Sequence, residues 1–389
     1  MANVKFFLEK GIVKIGAKPI DPEQLYRTGS LRVLINCEET KLTISKRPVD
    51  IRLRFTVDPS PRFSIVFRDE ALGEFQQKAL IEHGYFILND TRVHFVNTGV
   101  KKYIEAAFSD HTLPVLIKLL RTLFHKGLLD QPPADLIETL RTKSQRQIQH
   151  KNLFVRELYD YQREGVEWLS FCAENGVGTI LADDMGLGKT AQVIALCCDL
   201  LEKRPKSKIL IVVPNPLIDN WVREFAFFAP SLAPYLHYGM NRRGDSNAVS
   251  AQSIIITPYT TMTSDIAMLE ELSFDLTLFD EASLLKNPTS GRSTAARRLN
   301  SFVAVAMSGT PVENSLIDAW ALSDLVFPGF LGNIEDFTSR YVNADLSKTV
   351  RADLGELETS LRQITLRRMK DDVLTQLPEK IDLHTAVSL

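Results

Sequence analysis

The segment TILADDMGLGKTAQVIAL (179–196) constrains this chain more than any other stretch of its 389 residues. It reads as a strand that feeds a helix through a glycine-rich turn. Gly186 and Gly188 let the backbone curl so that successive N–H groups point inward, and the helix N-terminus behind them completes an anion cradle. The cradle residues are Asp184, Met185, Gly186, Leu187 and Gly188. The spacing gives Lys189 the reach of a β/γ-phosphate ligand and Thr190 that of a Mg2+ ligand. A fuller version of the pattern has glycine six residues before the lysine, where this chain has Asp183. The plain alternative is a glycine turn followed by a surface lysine. The strand before it and the helix after it favour nucleotide binding.

From about residue 155 onward, short apolar runs alternate with helical stretches. The runs are TILA at 179–182, KILIVVP at 208–214, SIIITP at 253–258, FDLTLFDEA at 274–282 and VAVAMSGTP at 303–311. This alternation predicts crossover units and a parallel sheet with helices on both faces, with ligands at the carboxyl ends of the strands. At one such end stand Asp280 and Glu281. Asp280 suits the holding of Mg2+ through water, and Glu281 suits polarisation of an attacking water. A lone Asp-Glu pair is commonly surface charge; its distance downstream of the phosphate loop is what raises it above that reading.

The first 150 residues follow another rhythm. Residues 28–98 look β-rich, with Ile51, Leu53, Phe55 and Val57 alternating with Arg52, Arg54 and Thr56 as in a half-buried strand with a basic outer face. Residues 101–128 read as helix broken at Pro114, 134–148 as a further helix, and 142–152 as a polar linker. Residues 1–153 hold 24 Lys and Arg against 17 Asp and Glu, and the remainder hold 22 against 31, so the net charge of −2 conceals a mildly basic first segment. Cys37, Cys172, Cys197 and Cys198 form no CxxC pair, which favours buried reduced thiols and a cytoplasmic compartment. No apolar run approaches the roughly 20 residues of a membrane helix.

Taken in order, the motifs resemble the Swi/Snf-type ATPases of helicase superfamily two. The matches are LYDYQREGVEWL (158–169), ILADDMGLGKT (180–190), ILIVVPNPLIDNWVREF (209–225), IIITPYTTM (254–262), LFDEASLLKNP (278–288), AMSGTPVENSLIDAWAL (306–322), FPGFLG (327–332) and TLRRMKDDVLTQLPEK (365–380). The resemblance implies an α/β fold: a RecA-like parallel sheet of the P-loop NTPase kind over 151–389, preceded by a smaller α+β domain over 1–150. It implies ATP and Mg2+ as cofactors, double-stranded DNA as the partner, and a DNA-stimulated ATP hydrolase that translocates along a duplex. Gln162 resembles the glutamine that reads the adenine edge. Ser308 and Thr310 resemble the motif that couples hydrolysis to DNA movement. Pro214, Asn215, Thr257 and Pro258 fall in segments that line the DNA backbone in relatives. Trp168, Trp221 and Trp320 read as core or loop anchors. Arg367, Arg368 and Lys370 read as residues near a hinge, or as surface charge.

Two features depart from that pattern. Ser283 stands where relatives carry His or Gln. The resemblance also implies a second RecA-like lobe carrying an arginine finger, and nothing in residues 1–153 reads as that lobe, so this chain is expected to bind ATP and turn it over poorly. The alternatives are a strand-separating helicase or motor subunit of a restriction or antiviral defence system, and a nucleotide-gated scaffold without turnover. No motif identifies the role of residues 1–150; the alternatives are a DNA-binding module, a partner-docking module and a lid that restrains the motor.

Overall fold

The computed structural model describes residues 6–9, 12–15, 18–19, 30–35, 38–45, 47–57, 60–88, 92–130, 136–143, 152–239, 242, 246–309, 315–342 and 348–376. The chain divides into two compact units, Met1–Thr139 and Leu140–Leu389. Among the described residues no helix is long and apolar enough to cross a membrane.

The first unit is α+β. Its strands are β1 (Phe6–Glu9), β2 (Ile12–Ile15), β3 (Lys18–Pro19), β4 (Ser30–Ile35), β5 (Glu38–Ile44), β6 (Arg52–Thr56), β7 (Arg62–Phe67), β8 (Glu70–Ala71), β9 (Tyr85–Leu88) and β10 (Arg92–Phe95). They form a mixed sheet in the order β3-β2-β1-β4-β5-β10-β9 and a small antiparallel sheet, β6-β7-β8. The alternation expected around β6 is partly present: Ile51 and Leu53 are buried, Phe55 and Val57 half-buried, and Arg52 exposed. Arg54, its side chain 39% exposed, is also paired: its Nε donates to Asp130 Oδ2 at 2.8 Å.

Helix α1 (Glu74–His83) corrects the β-rich reading of 28–98. Its sequence, EFQQKALIEH, buries only Ala79 and Leu80, so no apolar stripe betrays it. It ends at Gly84 in the left-handed region, φ 75°. The expected helix over 101–128 is two helices, α2 (Thr98–Ala107) and α3 (Leu113–His125). Pro114 lies in the first turn of α3, where its missing N–H costs nothing. Of the helix expected over 134–148, Leu136–Lys143 is present, and the rest lies outside the described residues.

The second unit is built on a parallel sheet. Its elements include α4 (Asp160–Glu174), β11 (Thr179–Leu181), α5 (Lys189–Lys203), β12 (Ile209–Val213), α6 (Ile218–Phe228), β13 (Tyr235–Leu236), β14 (Ile254–Pro258), β15 (Ser273–Phe279), α7 (Gly291–Arg298), β16 (Asn300–Met307), α8 (Leu316–Val326), α9 (Lys348–Ile364) and β17 (Thr365–Leu366). The strand order is β13-β14-β12-β15-β16-β11-β17, and every neighbouring pair is parallel. All five residues of β12 are buried, so both faces of the sheet are covered there. The five apolar runs read from the sequence are β11, β12, β14, β15 and β16. The two-residue edge strands β13 and β17 carry no such run. Because the strands are parallel, the loops after β11, β12, β15 and β16 open on one edge of the sheet.

Candidate nucleotide-binding site

The loop between β11 and α5 has Gly186 at φ 89° and Gly188 at φ 74°. At Gly188 the need for glycine is also steric, since a Cβ would run into the Gln162 side chain. Lys189 Nζ donates to the carbonyls of Asp183 at 2.6 Å and Asp184 at 3.2 Å, so the ammonium rests inside its own loop. Burial lowers the Lys189 pKa from the ordinary lysine value, while Asp183, Asp280, Glu281 and Asp184 pull it back up. Leu187 is fully buried beside Tyr161 and Val373, and Met185 is 74% exposed.

Asp183 explains why glycine is absent at its position. It is fully buried, and its carboxylate accepts from Arg368 Nε at 3.0 Å, Arg368 Nη2 at 2.6 Å and Gln192 Nε2 at 3.0 Å. Arg368 also lies over the Tyr161 ring at 5.2 Å and donates to the Tyr161 carbonyl. Arg368 is therefore not surface charge: it ties the segment after β17 to the phosphate loop. Lys370 joins the same seam through its backbone N–H, which donates to Asp184 Oδ2 at 3.0 Å. Arg367 lines a separate, mainly apolar cavity with Leu316 and Leu357.

Gln162 opens α4 as the second half of a capping box. Its Oε1 accepts from the Tyr159 N–H at 3.1 Å, and its Nε2 donates to the Leu187 carbonyl at 3.1 Å and to the Tyr161 hydroxyl at 3.4 Å. The side chain thus links helix and loop directly.

Asp280 follows β15. The Trp221 Nε1–H donates to its Oδ2 at 2.7 Å, the Glu281 N–H to its Oδ1 at 2.9 Å, and the Tyr259 hydroxyl to its carbonyl at 2.7 Å. Burial nevertheless raises the Asp280 pKa, against the lowering effect of Trp221 and the Glu281 N–H. Such a carboxylate is short of positive charge. Lys189 and a hard cation are the natural sources, and hydroxyl and carboxylate oxygens suit Mg2+. No group of three His, Cys, Asp or Glu able to hold a metal occurs among the described residues. Mg2+ commonly needs only one or two protein ligands beside phosphate, so Thr190 and Asp280 fit it.

Glu281 has φ 48° and ψ 52°, left-handed values uncommon for a residue with a Cβ. The Ser283 hydroxyl donates to its Oε1 at 2.6 Å. Ser308, after β16, is buried, and its N–H donates to the Leu181 carbonyl at 3.1 Å. Thr310 lies outside the described residues.

Glu157, Tyr159, Gln162, Met185, Gly186, Gly188, Lys189, Thr190, Asp280, Glu281 and Gly309 share one cavity of about 490 Å3 with residues of α6, a size usual for small-ligand sites. Pro214 and Asn215 follow β12, half-buried and exposed respectively, and do not line this cavity. Thr257 and Pro258 are buried in β14, and the Thr257 hydroxyl donates to the His237 carbonyl at 2.9 Å. The Thr257 side chain is thus engaged within its own sheet. Trp168 and Trp320 are buried, and Trp320 Nε1 donates to the Gly332 carbonyl. Trp221 is more than a core anchor. Its bond to Asp280, 59 positions away, leaves no trace in local spacing.

The parallel sheet, with its glycine-rich loop at one carboxyl edge, defines the RecA-like class of P-loop folds. Within that class the chain belongs to the SNF2-related domain family, whose sequence model matches residues 161–389. Over 235 residues it is 38% identical to YwqA of Bacillus subtilis, named as an ATP-dependent helicase/translocase; the match covers 59% of this chain and 26% of that protein. It is 32% identical over 249 residues to the ATP-dependent helicase FUN30 of Saccharomyces cerevisiae, covering 59% of this chain and 22% of the relative. The Sulfolobus solfataricus SWI2/SNF2 ATPase core solved in complex with dsDNA superposes with a TM-score of 0.54 at 30% identity, covering 60% of this chain and 49% of that one. The chain is thus Snf2-type and resembles ATP-dependent helicases and translocases. It spans about a quarter of the length of these curated relatives.

Proposed function

We propose that this chain supplies the first lobe of an ATP-driven motor that translocates along double-stranded DNA, with 151–389 as that lobe and 1–150 as an accessory domain. One observation carries the reading: Lys189, Thr190, Asp280 and Glu281 line a single cavity at the carboxyl edge of a parallel sheet. Likeness to an ATPase core solved with dsDNA supports the choice of polymer.

In this reading the triphosphate takes the place of the Asp183 and Asp184 carbonyls on the Lys189 ammonium. Gln162 has an Oε1 lone pair to offer the adenine amino group, and its Nε2 can trade the 3.4 Å Tyr161 contact for a ring nitrogen. Bound Mg2+ would neutralise phosphate charge, with Thr190 and Asp280 as its partners on the protein. Glu281 orients the attacking water and takes its proton. Ser308 and Thr310 pass the change to the DNA-facing edge. With Thr257 and Pro258 buried, contacts to the DNA backbone fall to the loop after β12, where Asn215 is exposed and its side-chain amide can donate to a phosphate oxygen. Such contacts tolerate any sequence. Asp130 engages Arg54, which makes β6 less basic than its sequence and favours a protein partner for the accessory domain. Because the chain covers 49% of the solved core, we expect it to act with a second lobe and to hydrolyse slowly alone.

The test is Mg·ATP binding and hydrolysis, with and without duplex DNA, beside Lys189→Ala. Loss of the charged phosphate ligand should weaken binding by about 10- to 100-fold. Equal binding by the variant would overturn the site. Efficient strand displacement would replace the translocase by an unwinding helicase.

A further inference from the structure

The residue that departs from the family resemblance, Ser283, makes a specific contact with the carboxylate assigned to water activation. Glu281 sits at the start of a short 3-10 turn, Ala282–Leu285, with its backbone in the left-handed region. For a residue with a Cβ that conformation costs about 1–2 kcal/mol, and it persists only where neighbours hold it. Two bonds to its main chain do so: the Glu281 N–H donates to the Asp280 side chain at Oδ1, 2.9 Å, and the Leu284 N–H donates to the Glu281 carbonyl at 3.1 Å. They leave the side chain undetermined, since a half-buried glutamate has three torsions beyond its backbone. The turn brings the Ser283 hydroxyl back onto Glu281 Oε1 at 2.6 Å, a length typical of charge-assisted O–H···O bonds. The short serine side chain thus places its hydroxyl on Glu281.

We propose that Ser283 is a positioning residue for ATP hydrolysis, its hydroxyl fixing one oxygen of the Glu281 carboxylate so that the other meets the attacking water. The inference rests on the proposed function above. In the step concerned, the water oxygen bonds to the γ-phosphorus while the bond to the bridging oxygen breaks. That electron pair leaves with ADP, and the water proton passes to Glu281. Ser283 touches neither nucleotide nor water in this scheme. It therefore affects the rate of the step and leaves nucleotide affinity alone.

Single-turnover hydrolysis, with protein in excess over labelled Mg·ATP, reads even a slow step. Nucleotide affinity is measured in parallel with a fluorescent ATP analogue. Ser283→Ala is expected to slow the step about tenfold with unchanged affinity, the size of a charge-assisted bond lost from a positioned catalytic group. Ser283→Thr keeps the hydroxyl and should retain most of the rate, while Ser283→Val, of the same shape without it, should behave like alanine. This pair keeps the test valid if alanine disturbs the turn. Equal rates for threonine and valine, or an alanine rate at or above wild type, would overturn the positioning role. If wild type and Lys189→Ala hydrolyse alike, the ATPase reading itself falls and the inference with it.

Discussion

Asp183 is a carboxylate with no exposed surface, directly under a loop built to hold phosphate. Its negative charge would oppose an anion were it not covered by Arg368, whose side chain is 14% exposed. Removing one member of a buried pair strands the other, which typically costs about 3–5 kcal/mol. For a unit of this size that corresponds to about 10 °C in melting temperature, so Arg368→Ala should lower the transition by that amount. Arg368→Lys should recover only part of it, because an ammonium cannot bond both carboxylate oxygens and Gln192 in one plane. A thermal melt decides the matter; a shift under about 3 °C for the alanine variant would reduce the pair to a surface ion pair.

At the scale of elements, the site is an alignment of strand ends, and that alignment is what the sequence made legible. The runs now seen as β11, β12, β14, β15 and β16 are apolar because both faces of a parallel sheet are covered. Asp280 and Glu281 stand out because they directly follow one such run, and Lys189 because a glycine-rich loop joins another run to the helix that it opens. The cross-links between elements were not legible. Trp221 of α6 reaches Asp280 after β15, Arg368 after β17 reaches Asp183 after β11, and Gln192 of α5 joins the latter pair. Each is made by residues far apart in the chain, so periodicity and spacing contain no record of them. Helix α1 leaves no stripe in the sequence for a related reason: it buries only Ala79 and Leu80. The α6–β15 link is testable by itself. Trp221→Phe keeps the ring and removes the N–H donor, leaving Asp280 Oδ2 without its 2.7 Å partner. Supporting residues of ion sites commonly contribute 10- to 100-fold, so Mg2+-dependent ATP binding should weaken by about tenfold while the fold persists. Unchanged Mg2+ dependence would reduce Trp221 to the core anchor its sequence context suggested.

For the whole molecule, acid acts on different groups in the two units: shifted histidines in the first, shifted carboxylates in the second, where hydrogen bonds from Arg242 and Arg298 hold Asp265 and Glu270 low. In the first unit, burial lowers the pKa of both His83 and His94, assisted at His94 by Arg92 and Arg68. As pH falls below 6.5 the unfolded chain takes up protons that these folded histidines still refuse. The unfolded state then binds more protons, and the unit loses stability until the lowered folded values are reached. In the second unit, burial raises the pKa of Asp280 and Glu224. The folded state there takes up protons first as pH falls towards the ordinary carboxylate values, so these groups add stability on the way down. A ligand of the phosphate loop acts on the second unit only, by about 2.7 kcal/mol at a hundredfold excess over Kd, or about 5–10 °C. Calorimetry from pH 7.5 to 5.5, with and without Mg·ATP, should therefore resolve two transitions. One should fall with acid and ignore nucleotide, and the other should rise with nucleotide without that acid-driven fall. His94→Gln should flatten the pH response of the first and leave the second in place. A single transition moved by both acid and nucleotide would show that the two cores melt as one.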